Sequence, residues 1–340
     1  MKQIVLNSRQ FVPSWLLSLG IGIGIVSCGS PELPESITID GSSTVYPITQ
    51  AVVESYKQTA KNPVTITLSV SGTGGGFREF CEGKTDISNA SRPILREEMT
   101  LCNRNNVRYI ELPIAFDALT VVVNPQNTWL DTITTEELKR IWQPEAGDTI
   151  TRWNQIRQEL PNQPLNLYGP GIDSGTYDYF TEAIVGKAHS SRLDYFQSEN
   201  DEIIVAAVKQ DPNALGYFGL AYYEAHAKEL KALAIDNGKG AVAPSRESVE
   251  TAQYQPLARP LFIYVNLASA QNNTSLREFI DFYLAQAPTL VPKVGYIPLP
   301  QEAYQLDKIT FHKGEAGTVF EGKSEFNLTI PELLRKQAQF

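Results

Sequence analysis

Three short segments rich in glycine and hydroxyl residues stand far apart in the chain: Gly41-Ser42-Ser43-Thr44, Ser71-Gly72-Thr73-Gly74-Gly75-Gly76 and Asp173-Ser174-Gly175-Thr176. Hydroxyls donate hydrogen bonds, and the first amides of a helix have no intrahelical partner. Small residues let an anion approach those amides, so such turns can bind an oxyanion without a metal. Taken singly, each is an ordinary helix cap. Taken together, they predict one anion site drawn from three places in the sequence.

Each turn lies where a strand pattern gives way to a helix. Ile37-Thr38-Ile39 precedes the first, and Ile48, Ala51, Val52 and Tyr56 follow it at helical spacing behind Pro47. Val64-Thr65-Ile66-Thr67-Leu68 and Phe77-Arg78-Glu79-Phe80 flank the second; Leu165-Asn166-Leu167-Tyr168 and Tyr177-Asp178-Tyr179-Phe180 flank the third. Further helices are expected at 96–103, 134–142, 175–188, 199–209 and 275–287, and strands at 115–123, 214–219 and 260–265. The alternation predicts an α/β fold with mainly parallel sheets. Val121-Val122-Val123-Asn124 and Ile263-Tyr264-Val265-Asn266 are expected to carry the chain between two lobes, lobe one at 36–120 plus 267–340 and lobe two at 121–266. The first two turns then face the third across a cleft that can close by hinge motion.

Residues 1–27 carry Lys2 and Arg9, then an apolar run, then Ile25-Val26-Ser27-Cys28. The run is shorter than the roughly 20 apolar residues of a membrane-spanning helix, and small residues precede the cysteine. This resembles the signal peptide and lipobox of bacterial lipoproteins, which implies cleavage before Cys28 and lipidation of its thiol. Residues 28–35 read as a tether. Cys81 and Cys102 remain as an even pair in an exported chain, which predicts a disulfide, with two free buried thiols as the alternative.

The formal charge of the 340-residue chain is −9, and removal of Lys2 and Arg9, with no acid lost, makes it −11. Binding to a phosphate backbone needs a concentrated basic surface, so a nucleic-acid partner is not expected. The three histidines, His189, His226 and His312, have no metal-ligand spacing around them. Gly171-Ile172-Asp173-Ser174-Gly175 lacks the single residue between glycine and serine that a nucleophile elbow needs, so catalysis is not expected.

With Gly41 to Pro47, Ser71 to Phe77, Asp86-Ile87-Ser88-Asn89-Ala90-Ser91-Arg92-Pro93 and Asp173 to Thr176 in this order, the chain resembles the phosphate-binding proteins of bacterial phosphate ABC importers, in their cyanobacterial-type branch. The resemblance covers nearly all of the mature chain. It implies a two-lobed class II periplasmic-binding-protein fold that holds phosphate in its cleft, with no cofactor, a monomeric chain, and ABC permease subunits as partners. It places phosphate contacts on Ser43, Thr44, Val45, Thr73, Gly74, Ser91, Arg92, Asp173, Ser174, Gly175 and Thr176. Two charges depart from the best-known branch: Arg92 stands where that branch has an aspartate, and Pro170 where it has an arginine. An exchange is therefore expected, with Arg92 on the anion and Asp173 pairing with Arg92 or accepting the ligand's proton. Another oxyanion, sulfate or molybdate, and a phosphate sensor or buffer are the alternatives.

Overall fold

The computed structural model describes residues 36–60, 64–323, 325 and 328–338; the expected leader, Cys28 and the tether lie outside them. Eight strands make the main path of the sheet: β1 (Ser36–Gly41), β2 (Thr65–Leu68), β3 (Ile87–Ala90), β4 (Tyr109–Val123), β5 (Asn166–Pro170), β6 (Phe196–Ser198), β7 (Ala214–Gly219) and β8 (Ala258–Asn266). Their spatial order is β2-β1-β3-β8-β4-β7-β5-β6. Both ends of this path are parallel, as helical crossovers dictate. The centre, where β8 pairs with β3 and β4, and β4 with β7, is antiparallel, which the expectation of mainly parallel sheets did not include.

The strand β4 joins the two ends. Tyr109 to Ala118 pairs with β8, and Leu119 to Val123 pairs with β7. All of its residues are buried, which explains why it reads as a nearly unbroken apolar run. Pro113 has no N–H for the ladder, and the pairing shifts register between Leu261 and Phe262, directly opposite it. The second expected crossing, at Ile263 to Asn266, needs correction. Those residues are hydrogen-bonded to β3 and to the first part of β4, so they lie with the first end of the sheet. Just before β8, Leu119 N–H donates to Leu257 O at 2.7 Å.

Six helices position the site: α1 (Tyr46–Thr59), α2 (Gly72–Cys81), α3 (Arg96–Arg104), α4 (Thr135–Trp142), α5 (Gly175–Phe180) and α6 (Asp201–Gln210). Ile48, Val52, Val53 and Tyr56 form the buried face of α1, each stabilising the fold by roughly 1.5–3 kcal/mol. Thr134 and Glu137 close a capping box on α4. The helix expected over 175–188 is shorter. Its α-helical part ends at Phe180, a π-helical turn covers Thr181–Val185, and Gly186 at φ 97 terminates it. The helix expected from residue 199 begins at Asp201, because Asn200 accepts from Glu202 N–H at 2.9 Å and acts as its cap. A disulfide links Cys81 at the end of α2 to Cys102 on α3.

Candidate functional site

The three turns meet. Thr44 Oγ1 lies 3.3 Å from Thr176 Oγ1, and Thr73 Oγ1 lies 3.2 Å from Ser91 Oγ. A Cβ on Gly175 would stand 2.3 Å from Thr73 Oγ1 and 2.4 Å from Ser91 Oγ, so the third turn is pressed against the second at backbone distance. Gly72, at φ 77, is equally constrained, since its Cβ would fall 2.1 Å from Asp173 O. Thr44, Thr73, Ser91 and Thr176 are all essentially inaccessible.

Beneath the hydroxyls lies a residue that sequence reasoning missed. Arg259, fully buried on β8, donates through Nη2 to Thr176 Oγ1 at 2.8 Å and Thr44 Oγ1 at 3.3 Å, and through Nη1 to Gly175 O at 3.2 Å. Its counter-ion is Asp117 on β4, 3.0 Å away and equally buried. Both residues sit in apolar strands and carry no local motif. The only available signal was that a charged residue inside such a strand needs a partner.

The donor count follows from these contacts. A guanidinium cannot accept, so Arg259 occupies threonine lone pairs and leaves both hydroxyl protons to be placed. Thr44 and Thr176 can satisfy one proton between themselves. The other remains for an acceptor in the cleft. Thr73 and Ser91 behave likewise, with Ser91 N–H also donating to Thr73 Oγ1 at 3.2 Å. Two hydroxyl pairs, each with a proton to spare, thus meet at the third turn: one is held by the buried guanidinium through Thr44 and Thr176, the other packs against Gly175.

Other expected contacts are engaged elsewhere. The amides of Thr44 and Val45 point to Ser42 Oγ at 3.2 and 3.4 Å, and Gly74 N–H donates to Asp173 O at 3.3 Å. Ser174 Oγ accepts from Thr176 N–H at 3.1 Å, so Ser174 caps α5. Ser43 Oγ donates to Asp201 Oδ2 at 3.4 Å. Asp201, nearly inaccessible, has no ion-pair partner among the described residues; burial pushes its carboxyl up to about 7, with Arg259 only partly opposing.

The expected Arg92–Asp173 pairing is not formed. Asp173 pairs with Arg78 at 3.0 Å, and both side chains are largely exposed. Arg92 is buried, its Nε 2.6 Å from Asp178 Oδ2 and its Nη atoms 2.8 and 2.7 Å from Glu98. Burial pulls its pKa down, but the two carboxylates outweigh this and raise it. Asp178 supplies the partner because it lies one helical turn beyond Ser174, whereas Asp173 precedes the helix. A cavity of about 600 Å³ is lined by Ser43, Tyr46, Glu199, Asn200 and Tyr222 among others, next to the first turn and the start of α6. Among the described residues, no cluster of three or more His, Cys, Asp or Glu residues suits a metal, and no helix is long and apolar enough to cross a membrane.

Fold and site together define a two-lobed solute-binding architecture, and comparison with known proteins identifies its family. Residues 29–287 match the PBP superfamily domain. The chain is 62% identical to protein SphX of Synechocystis sp. over 98% of both chains. It is 34% identical to the phosphate-binding protein PstS of Staphylococcus saprophyticus over 84% of this chain and 89% of that one. A possible phosphate binding protein from Planctomyces limnophilus superposes with TM-score 0.63 at 40% identity, over 83% of this chain and 99% of that one. A phosphate ABC transporter substrate-binding protein from Clostridium perfringens, with bound phosphate, gives TM-score 0.65 at 25% identity, over 78% and 100%. The chain belongs to the PBP superfamily, in the family of SphX and the PstS phosphate-binding proteins.

Proposed function

We propose that this chain captures inorganic phosphate in the cleft between its lobes and delivers it to an ABC importer. The observation that carries the reading is the pair of hydroxyl pairs at the third turn, Thr44 with Thr176 on buried Arg259 and Thr73 with Ser91 against Gly175. Spare O–H donors suit an acceptor-rich anion, and the Arg259–Asp117 pair supplies a fixed dipole without surplus charge. The names of the relatives, SphX and PstS, and the phosphate in the Clostridium perfringens structure support the same ligand.

In this reading Ser43, Val45, Gly74, Ser174, Gly175 and Asp173 line the cleft wall, and Arg92 reaches the anion only with the N–H that its carboxylates leave over. Lobe one holds residues 36–120 and, with β8, everything from about 258 onward; lobe two holds the rest. The leader ends at 27, lipidated Cys28 anchors the chain outside the cytoplasm through the tether, and the monomer presents phosphate to permease subunits without catalysing any reaction.

Calorimetric titration of the ligand-stripped chain with phosphate, sulfate, arsenate and molybdate tests the reading. Phosphate and arsenate should bind far more tightly than the other two. Equal or tighter binding of sulfate or molybdate would overturn the ligand assignment.

A further inference from the structure

The ion network behind Arg92 ends in a residue that the proposed phosphate contacts do not use. His189 follows the π-helical end of α5, with φ 59, a left-handed backbone that is uncommon outside glycine. Its Nδ1 stands 2.9 Å from Asp178 Oδ1, and its Nε2 stands 3.4 Å from Glu97 Oε1. Asp178 lies on α5, behind the third turn. Glu97 lies on α3, which the disulfide ties to α2 behind the second turn. His189 therefore bridges the two sides that meet at Gly175 and Thr73, parallel to the Arg92–Asp178 pair.

We propose that His189 is a positioning residue that fastens the closed cleft when protonated, tying Asp178 to Glu97 and, through Asp178, keeping Arg92 beside the second turn. The proposal rests on the cleft being the phosphate site. Neutral imidazole can serve Asp178 with its one N–H, but it then has none for Glu97; the imidazolium serves both.

The groups facing His189 are Asp178, Glu97 and Arg92, with Glu98 behind Arg92. The Asp178 carboxylate 2.9 Å away raises its pKa, burial and Arg92 oppose, and Glu97 adds to the rise. An open cleft separates Glu97 from His189 and removes part of that rise. The fastening is therefore complete below the ordinary imidazole value and is lost as pH climbs through the raised one. His189 is 44% exposed, so solvent screens the effect; a change of about two- to fivefold in release rate is expected.

Stopped-flow release of inorganic phosphate, compared between the wild-type chain and His189→Gln from about pH 6 to about pH 9, tests this, since the ratio of rates cancels the anion's own titration. The variant should release phosphate about two- to fivefold faster at the acid end and at the wild-type rate at the alkaline end. Glu97→Gln, at a side chain 70% exposed, removes the other end of the bridge without disturbing the core and should show the same convergence. A ratio independent of pH for both variants overturns the proposal, because a purely structural role does not titrate. Failure of the wild-type chain to bind phosphate at all would sink the ligand reading, and this inference with it.

Discussion

Arg259 Nη2 stands 2.8 Å from Thr176 Oγ1 and 3.0 Å from Asp117 Oδ2, so one buried guanidinium holds a hydroxyl of the third turn and its own counter-ion together. Lysine at this position keeps the charge but cannot reproduce the fork. Arg259→Lys should weaken phosphate binding by about 1.5–3 kcal/mol, roughly ten- to a hundredfold, by calorimetry. Arg259→Met strands Asp117 in the core and should lower unfolding stability by about 3–5 kcal/mol in denaturant titration. Unchanged affinity in a folded Arg259→Lys chain would remove Arg259 from the site.

Gly175 is placed where any side chain collides with two hydroxyls. Gly175→Ala puts a methyl within 2.4 Å of both Thr73 Oγ1 and Ser91 Oγ, atoms held by their own hydrogen bonds. Closure should then fail while each half of the sheet stays intact. Phosphate affinity should fall about a hundredfold, near the roughly 3 kcal/mol upper end of an overpacking strain, with little change in thermal stability.

Asp201 gives a pH signature. Its carboxyl binds a proton more tightly in the folded chain, up to about 7, than in the unfolded chain, where 3.8 is the ordinary value. The folded state therefore loses stability as pH rises between those values and loses no more above them. Asp201→Asn escapes the loss. It should be more stable than wild type in urea at about pH 8, by at most about 4 kcal/mol, and nearly equal at about pH 4. A difference that does not change with pH would contradict the assignment.

The disulfide between Cys81 and Cys102 spans 21 residues and encloses β3, Ser91 and Arg92. In the chain-entropy model its reduction should cost roughly 3 kcal/mol. Because the enclosed loop carries Ser91, one member of a hydroxyl pair, phosphate affinity should fall together with stability in the reduced chain. Calorimetry with and without reductant measures both.

Much of this was legible in the sequence because it is local. A hydroxyl- or glycine-rich turn between a strand and a helix is written in adjacent residues, and so are the capping box at Thr134 and Glu137 and the amphipathic face of α1. Helix ends were less legible. The expected helix over 175–188 failed because a π turn and the left-handed Gly186 intervene, features that apolar periodicity does not report.

The sequence by itself determined the three glycine- and hydroxyl-rich turns, the cysteine pair and the alternation of strands and helices, since each depends on neighbours a few residues apart. Only the tertiary structure decided which charges meet. Asp117 and Arg259 are brought together by antiparallel pairing of β4 with β8, Asp178 displaces Asp173 as the partner of Arg92, and Asp201 is left alone beside Ser43. Charge pairing in a core is settled by strand register and helix phase across 86 residues for Arg92 and Asp178 and 142 for Asp117 and Arg259, and residue type alone does not encode either.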